Sequence, residues 1–205
     1  YKAVKEESER LVRFCEKEKV RMLLLPSLDE LKGGKLKMRA LPEVRIEDLL
    51  GREEIRINME EIAGSLKGKV VLVTGAAGSI GSELCRQLCH FGLKQLVLFD
   101  SAETPMHNIR LELEEKFPDV EFTPVMGDIR MIHRVESIYQ RFHPQLVFHA
   151  AAYKHVPLME DSPNEAIKNN VIGTLKTART ASRYHVKKFI LISTDKAVNP
   201  TNIMG

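Results

Sequence analysis

The chain has 205 residues and a formal net charge of +3, with 43% hydrophobic and 29% charged residues. This average composition excludes a disordered, collagen-like or coiled-coil protein, and the length suits one domain and part of another. No apolar run reaches the ~18–20 residues of a membrane-spanning helix, and the alternation of acids and bases argues against a nucleic-acid partner. The three cysteines lack the spacing of a metal or disulfide site, which indicates a reducing, cytoplasmic compartment and no metal. Cys85 and Cys89 lie four residues apart on a predicted helix and are expected to be packing residues.

The first 62 residues are dense in charge and interrupted by proline and glycine. The pattern predicts a helix over residues 5–19 and a short buried strand over residues 21–25. One helix and one strand cannot enclose a core. Residues 1–62 are therefore expected to be the tail of a preceding domain plus a linker, an N-terminal α/β extension to the domain that follows.

From residue 63 onward, apolar strands alternate with helices. Strands are predicted over residues 69–74, 95–100, 121–126, 146–150 and 189–193, and helices over residues 83–90, 104–116, 132–142 and 164–184. Pro124 indicates an edge position for the third strand, since proline cannot donate to a strand ladder. The alternation predicts an α/β fold over residues 63–205, with a doubly wound parallel sheet and right-handed crossovers.

A glycine-rich turn joins the first predicted strand to the first helix, with Gly75, Gly78 and Gly81 at three-residue intervals. Between a strand and a helix, this spacing is the fingerprint of a dinucleotide-binding Rossmann fold. The first glycine permits the tight turn, the second lets the backbone approach a pyrophosphate, and the third lets helix and strand pack closely. Ser79 and Ile80 of this turn are also expected to bind the cofactor, and the N-terminus of the helix that follows offers free amides to the phosphates. The same glycines would also suit a tight turn that binds no ligand.

Acidic residues follow the second and third predicted strands. Asp100 lies about 20 residues after the last glycine, where a carboxylate accepts both ribose hydroxyls and repels a 2′-phosphate, which favours NAD over NADP. Asp128 would reach the adenine amino group and Ile129 would pack on its ring, because ligands bind at the carboxyl edge of such a sheet. Alternatively, Asp100 caps a helix and Asp128 forms an aspartate turn.

Longer motifs resemble a known enzyme family. The pattern TGxxGxxG, then GDI, then HAAA, then a Ser-Thr pair after the fifth strand resembles the extended short-chain dehydrogenase/reductase superfamily. Residues 149–160, 169–174 and 193–205 narrow the resemblance to its polysaccharide-biosynthesis branch. That branch comprises nucleotide-sugar 4,6-dehydratases, also described as nucleoside-diphosphate-sugar epimerases, especially large membrane-associated bacterial members. The resemblance covers residues 46–205.

The resemblance implies residues for the cofactor and the substrate. Small side chains would lie under the nicotinamide ribose: Ala150, Ala151 and Ala152. Asn170 would have a structural or water-holding role at the cofactor. Lys154 and His155 would stand at the mouth of the site and bind the diphosphate or hydroxyls of a UDP-sugar, although a solvated loop would explain the same pair.

The resemblance also implies where the chemistry lies, at the end of the fifth strand. Thr194 would hydrogen-bond the C4 oxygen, Asp195 would protonate the departing C6 hydroxyl, and Lys196 would remove the C5 proton; a surface ion pair is the alternative for the last two. Met204 stands where the superfamily has its catalytic tyrosine, as in the membrane-associated branch, and a thioether cannot take a proton. The base at C4 stays open between Asp195, Thr194 and water.

The expected function is an NAD-dependent 4,6-dehydratase of a UDP-N-acetylglucosamine-type substrate in capsule, O-antigen or glycan synthesis. A nucleotide-sugar 4-epimerase and a non-catalytic NAD-binding module are the alternatives. The lysine that follows the catalytic tyrosine position by four residues would be residue 208. We therefore expect residues 63–205 to be an incomplete domain, inactive alone and lacking its substrate-binding part. The longer protein is expected to be a homo-oligomer on the cytoplasmic side of a bacterial inner membrane, anchored by a separate segment.

Overall fold

The computed structural model describes residues 58–194 and 198–204. Five strands are present in this part of the chain: β1 (Val70–Thr74), β2 (Gln95–Asp100), β3 (Phe122–Met126), β4 (Leu146–His149) and β5 (Lys188–Leu191). They form one parallel sheet in the order β3–β2–β1–β4–β5. The predicted doubly wound parallel sheet is confirmed. The helix and strand predicted before residue 26 lie outside the described residues, as do Asp195 and Lys196.

Helices connect the strands and cover the sheet. They are α1 (Met59–Leu66), α2 (Ser79–Leu88), α3 (Glu103–Lys116), α4 (Ile132–Phe142), α5 (Val156–Asp161), α6 (Pro163–Ala166) and α7 (Thr174–Arg183). A π-helical stretch, Ile167–Gly173, joins α6 to α7, where the sequence predicted one regular helix. Among the described residues, no helix is both long and apolar enough to cross a membrane.

Two apolar layers lie on opposite faces of the sheet, because side chains alternate along each strand. Val71 and Val73 of β1 pack with buried residues of α2 and α3. Val70 and Leu72 pack with buried residues of α4 and α7 on the other face. Every residue of β1 is buried as a result. Double coverage explains why this strand reads as a continuous apolar run.

The two cysteines of the described region belong to the first of these layers. Cys85 and Cys89 are buried free thiols that pack with apolar residues of the core. Burial raises the pKa of the Cys89 thiol to about 11 and raises that of Cys85 further. Both thiols therefore stay protonated and unreactive at neutral pH. The prediction that they are packing residues is confirmed.

The outer strands behave differently from the central ones. Pro124 sits in β3 at one edge of the sheet, opposite Leu98 of β2, as predicted. At the other edge, β5 begins and ends earlier than the predicted residues 189–193, and its last residue, Leu191, is 55% exposed. The described residues therefore cover β5 only partly.

Strand β1 lies between β2 and β4, so the chain moves to one side of β1 and then to the other. A crevice forms at the carboxyl ends of the strands where such a reversal occurs, and ligands of open α/β sheets bind there. The loops that follow β1, β2, β3, β4 and β5 all begin at this edge. These loops carry many of the candidate residues identified from the sequence, whereas Ser79, Ile80 and Gly81 lie in α2 and Asn170 lies in the π-helical stretch.

Candidate functional site

The glycine-rich turn after β1 is packed tightly against the loop after β4. Gly75 has a left-handed φ of +68°, and a Cβ added to it would lie 2.6 Å from the backbone nitrogen of Ala151. A Cβ on Gly81 would lie 1.9 Å from the carbonyl oxygen of Gly75. Gly78 is less restricted, since its added Cβ would meet only that same oxygen, at 3.3 Å. Packing within the protein thus requires glycine at positions 75 and 81. At Gly78 the absence of a side chain leaves the backbone accessible from the crevice.

Asp100 ties this turn to the start of α3. One carboxylate oxygen accepts a hydrogen bond from the backbone N–H of Ala77 (3.0 Å), and the other accepts from Ala102 (2.9 Å). Helix α3 begins after Ala102 with no side-chain cap, so Asp100 does not cap it in the usual way. The carboxylate instead fixes the shape of two loops and lines the cavity between them.

Asp128, after β3, is held by a salt bridge that the sequence analysis did not anticipate. Its Oδ1 accepts from the backbone N–H of Arg130 (2.8 Å), and its Oδ2 accepts from the Arg130 guanidinium at Nε (2.8 Å) and Nη2 (2.5 Å). Hydrogen bonding from the guanidinium holds the pKa of this carboxyl below its usual range. The aspartate turn predicted as an alternative is thus present, and Asp128 still lines the cavity beside Asp100.

Ile129 contacts both the core and the cavity that Asp128 lines. Its side chain is buried in the core, and a Cβ on Gly173 would lie 2.8 Å from its Cδ1 atom. It also lines the same cavity as Asp128. The π-helical stretch that ends at Gly173 therefore packs directly against the loop after β3.

Asn170 fixes the loop after β4. Its Oδ1 accepts from the backbone N–H of Tyr153 (2.9 Å), and its Nδ2 donates to the carbonyl of Tyr153 (3.0 Å). The buried Asn169 donates to the same Oδ1 at 3.0 Å. The amide thus makes a paired contact with the backbone, as a neighbouring strand would. This geometry gives Asn170 a structural contact, and the sequence analysis missed its partners Asn169 and Tyr153.

Lys154 reaches across the crevice to the first turn of α2. Its Nζ donates a hydrogen bond to the Ser79 hydroxyl (3.1 Å). This contact brings a cation to the helix N-terminus, where the helix dipole already favours anions. His155 is exposed and precedes α5, and it does not line either of the two cavities described below. Lys154 thus lies at the crevice, and the substrate role expected of His155 stays a prediction.

His149, the last residue of β4, is a buried histidine without a role in the sequence analysis. Its Nδ1 lies 2.7 Å from the Thr74 hydroxyl and its Nε2 lies 2.9 Å from the Thr174 hydroxyl. Burial lowers the pKa of this imidazole to about 4, so the ring is neutral at physiological pH. The ring links the ends of β1 and β4 to the start of α7. In the sequence, His149 is the first residue of the HAAA motif, and no role was predicted for it.

Two cavities follow the crevice and share the segment from Ala150 to Tyr153. The first, of about 310 Å³, is lined by the glycine-rich turn and by Asp100, Asp128 and Ile129. The second, of about 350 Å³, is lined by residues that include Ile80, Lys154, Asn170, Thr194 and Met204. The alanines that the sequence singled out separate the two: Ala150, Ala151 and Ala152.

Most of the predicted site residues therefore meet at one edge of the sheet. Thr194 and Met204 face the same cavity, and Asn202 Oδ1 accepts from the backbone N–H of Met204 (3.0 Å). Asp195 and Lys196 belong to the short gap in the described residues, so their assigned roles stay predictions. No cluster of three or more metal-ligating side chains occurs in residues 58–194 or 198–204.

The parallel sheet, the glycine-rich turn and the crevice define a Rossmann-fold protein of the short-chain dehydrogenase/reductase type. Residues 71–205 match the family described as polysaccharide biosynthesis protein, and the chain belongs to that family. It is 43% identical over 194 residues to the capsular polysaccharide biosynthesis protein CapD of Staphylococcus aureus. That match covers 94% of this chain and 32% of CapD, so the chain spans about a third of this relative's length.

Solved structures of similar fold point to the same class. Pen from Bacillus thuringiensis is 32% identical with a TM-score of 0.64, and the match covers 68% of this chain and 43% of Pen. The UDP-glucose-4-epimerase (galE) from Stenotrophomonas maltophila is 26% identical with a TM-score of 0.55. That match covers 62% of this chain and 38% of the epimerase, which was solved with bound NAD and formylated UDP-arabinopyranose.

Proposed function

We propose that the chain binds NAD along its crevice and is the cofactor-binding part of a nucleotide-sugar-modifying enzyme. The observation that carries the proposal is the pair of adjoining cavities that share residues 150–153. A dinucleotide has two halves joined by a pyrophosphate, and two cavities joined at a small-residue segment suit that shape. The structurally similar epimerase with bound NAD supports the same cofactor.

The residues of the first cavity fit the adenosine half of NAD. Asp100 receives one backbone N–H at each carboxylate oxygen, which leaves further lone pairs for the hydroxyls of a ribose. A carboxylate at this place would repel a 2′-phosphate, which favours NAD over NADP. Gly78 and the amides at Ser79 and Ile80 lie at the helix N-terminus that would face the pyrophosphate.

The second cavity fits the nicotinamide half. Small side chains at residues 150–152 would let the cofactor approach the sheet closely. When bound, nicotinamide would accept a hydride and return it, which the side chains of a protein cannot do. Lys154 lies at the helix end where cofactor and substrate phosphates would meet. Thr194 and Met204 lie in the same cavity, at the expected position of the sugar.

For the reaction, we propose 4,6-dehydration of a UDP-N-acetylglucosamine-type substrate. Thr194 would donate a hydrogen bond to the sugar's C4 oxygen, Asp195 would protonate the departing C6 hydroxyl, and Lys196 would take the C5 proton. An acid and a base side by side suit this elimination, and burial next to substrate would depress the lysine pKa as a base requires. Met204 cannot accept a proton, so the C4 hydroxyl loses its proton to Asp195, Thr194 or water.

The test uses the longer protein that contains this chain, supplied with UDP-N-acetylglucosamine. The proposal predicts a 4-keto-6-deoxy sugar nucleotide, identified by mass spectrometry and NMR. A clean 4-epimer without 6-deoxy product would contradict it. Asp195→Asn should abolish dehydration, whereas Asp161→Asn, at an exposed position of α5, is the matched control and should retain it.

Two other functions are supported by particular observations. A 4-epimerase is supported by the similar epimerase structure, and it needs no acid–base pair at C5 and C6, so it would tolerate Asp195→Asn. A non-catalytic NAD-binding module would need only the two cavities that share residues 150–153. Such a module would bind NAD and turn over no sugar in any longer form of the protein.

Location and assembly belong to the same proposal. The resemblance to the membrane-associated branch supports a longer protein anchored in a bacterial inner membrane, with this chain on the cytoplasmic side. The buried, unpaired thiols of Cys85 and Cys89 suit a reducing compartment. The partners we propose are a UDP-sugar and further copies of the same protein.

A further inference from the structure

A cluster of charged side chains adjoins Asp128, which lines the first cavity. Arg130 forms the pair with Asp128 and also donates from Nη1 to Glu165 (2.7 Å). Lys176 Nζ donates to the backbone carbonyl of Arg130 (2.6 Å). Lys168 donates to the other oxygen of Glu165 (2.8 Å). The loop after β3 is thereby tied at two points to the helical segment over residues 163–183, and Lys168 holds Glu165 within that segment.

The Asp128 carboxylate accepts three hydrogen bonds, all of them from Arg130. A carboxylate offers about four lone-pair sites, two on each oxygen. Oδ2 accepts two hydrogen bonds from the Arg130 guanidinium, and Oδ1 accepts one from the Arg130 backbone. Among the contacts of the described residues, one acceptor site of this carboxylate therefore remains, on Oδ1. Asp128 lines the cavity proposed for adenosine, so the remaining site is available to a donor held there.

The guanidinium also determines how the carboxylate is oriented. Nε and Nη2 of the planar guanidinium both donate to Oδ2, and the Arg130 backbone N–H donates to Oδ1, so both oxygens are held in place. A lysine ammonium lacks this planar pair of donors. Glu165 and Lys176 in turn hold Arg130 from the helical side. The same pairing keeps the pKa of Asp128 low, so the group is an acceptor at neutral pH.

We propose that Arg130, held by Glu165, is a positioning residue that makes the adenine cavity selective for an amino-bearing purine. It orients Asp128 so that the one remaining acceptor site faces the exocyclic amino group. In a purine with an oxo group at that position, the oxo oxygen would face Oδ1 of Asp128. Both atoms are hydrogen-bond acceptors, so this purine is disfavoured. The inference rests on the proposed NAD function and deepens it by assigning the specificity of the adenine end.

The test compares NAD with nicotinamide hypoxanthine dinucleotide, in which an oxo group replaces the adenine amino group. Calorimetric titration of the wild-type chain should show NAD binding about 10-fold or more tighter, as expected for a hydrogen bond to a charged group. Arg130→Gln should reduce this preference to about 2-fold or less. Arg130→Lys keeps the positive charge but not the planar pair of donors, and it should reduce the preference as well.

The control and the contrary outcomes separate this inference from the proposed function. Arg110→Gln removes an exposed ion pair with Glu114 on α3, away from the cavities, and should keep the wild-type preference. A wild-type preference retained in Arg130→Gln would overturn the inference, even if both dinucleotides bound more weakly. Should that variant fail to fold, an unchanged preference in Arg130→Lys would overturn it. Absence of NAD binding by the wild-type chain would overturn the proposed function itself.

Discussion

The Cα of Gly81 in helix α2 faces the carbonyl oxygen of Gly75 so closely that an added methyl group would lie 1.9 Å from it. The first turn of the helix and the turn after β1 therefore share one space that only glycine leaves free. Backbone atoms form this contact, so no side chain can rotate to relieve a substitution. The dinucleotide fingerprint is in this respect a packing requirement of the fold.

Gly81→Ala should lower the free energy of unfolding by about 1–3 kcal/mol, because the helix must move away from the turn. Urea denaturation followed by circular dichroism measures the change. Gly64→Ala is the matched control, since Gly64 lies in α1 with nothing within 4 Å of an added Cβ, and it should be neutral or slightly stabilising. Equal stability of the two variants would contradict the packing argument.

Asp100→Asn should shift the cofactor preference towards NADP. The substitution removes the negative charge that would oppose a 2′-phosphate, and it leaves only one side-chain oxygen for the N–H groups of Ala77 and Ala102. We expect the ratio of NAD to NADP affinity to fall about 10-fold or more. Fluorescence or calorimetric titration with both dinucleotides gives the ratio. The control is Asp119→Asn, in the exposed turn before β3, which should leave the ratio of NAD to NADP affinity unchanged. An unchanged ratio in Asp100→Asn would be evidence against a ribose contact.

Asn170→Ala should loosen the loop between the two cavities. It removes two hydrogen bonds to the backbone of Tyr153, which together stabilise the fold by about 1–3 kcal/mol. The melting temperature and the NAD affinity should both fall. Asn164→Ala, at an exposed position of α6, provides the comparison and should change neither. Wild-type NAD affinity in the Asn170 variant would mean that this loop does not shape the cofactor site.

The buried His149 should make stability depend on pH. Its folded-state pKa of about 4 is below the ordinary value of 6.5, so the unfolded chain binds more protons between these two values. The contribution of the neutral ring to the free energy of unfolding is fully present above pH 6.5. It is lost as the pH falls towards 4. The predicted loss is about 3 kcal/mol over this window.

Chemical denaturation at pH 7, 6, 5 and 4.5 measures this dependence. His149→Gln should flatten the decline in the free energy of unfolding, whereas His107→Gln, at an exposed position of α3, should keep the wild-type slope. The same slope in His149→Gln and in the wild type would assign the acid sensitivity to other groups.

The sequence predicted those parts of the fold that depend on local pattern. Strand β2 was predicted at its observed bounds because both of its faces are covered, which leaves a clear apolar run. Helix α2 begins at Ser79, four residues earlier than predicted, because its N-cap is Gly78 and no side chain marks the start. The π-helical stretch at residues 167–173 keeps the apolar spacing of a helix, so periodicity alone did not distinguish it.

The candidate site was predicted where a motif carries it, and was missed where contacts join distant residues. The glycines and Asp100 follow a recognised spacing. Arg130 and Glu165 are 35 residues apart in the sequence, and no local pattern in either segment indicates that the two side chains meet. The contact of His149 with Thr74 spans 75 residues and was missed for the same reason. Such contacts exist only because the sheet brings its carboxyl ends together.

The most direct test of the account is a calorimetric titration of this chain with NAD and, separately, with UDP-N-acetylglucosamine. The account predicts saturable binding of one NAD per chain, because the two cavities share residues 150–153 and together suit one dinucleotide. The titration with UDP-N-acetylglucosamine serves as the comparison. Absence of NAD binding by the folded chain would contradict the assignment of the two cavities to a dinucleotide, and with it the central claim.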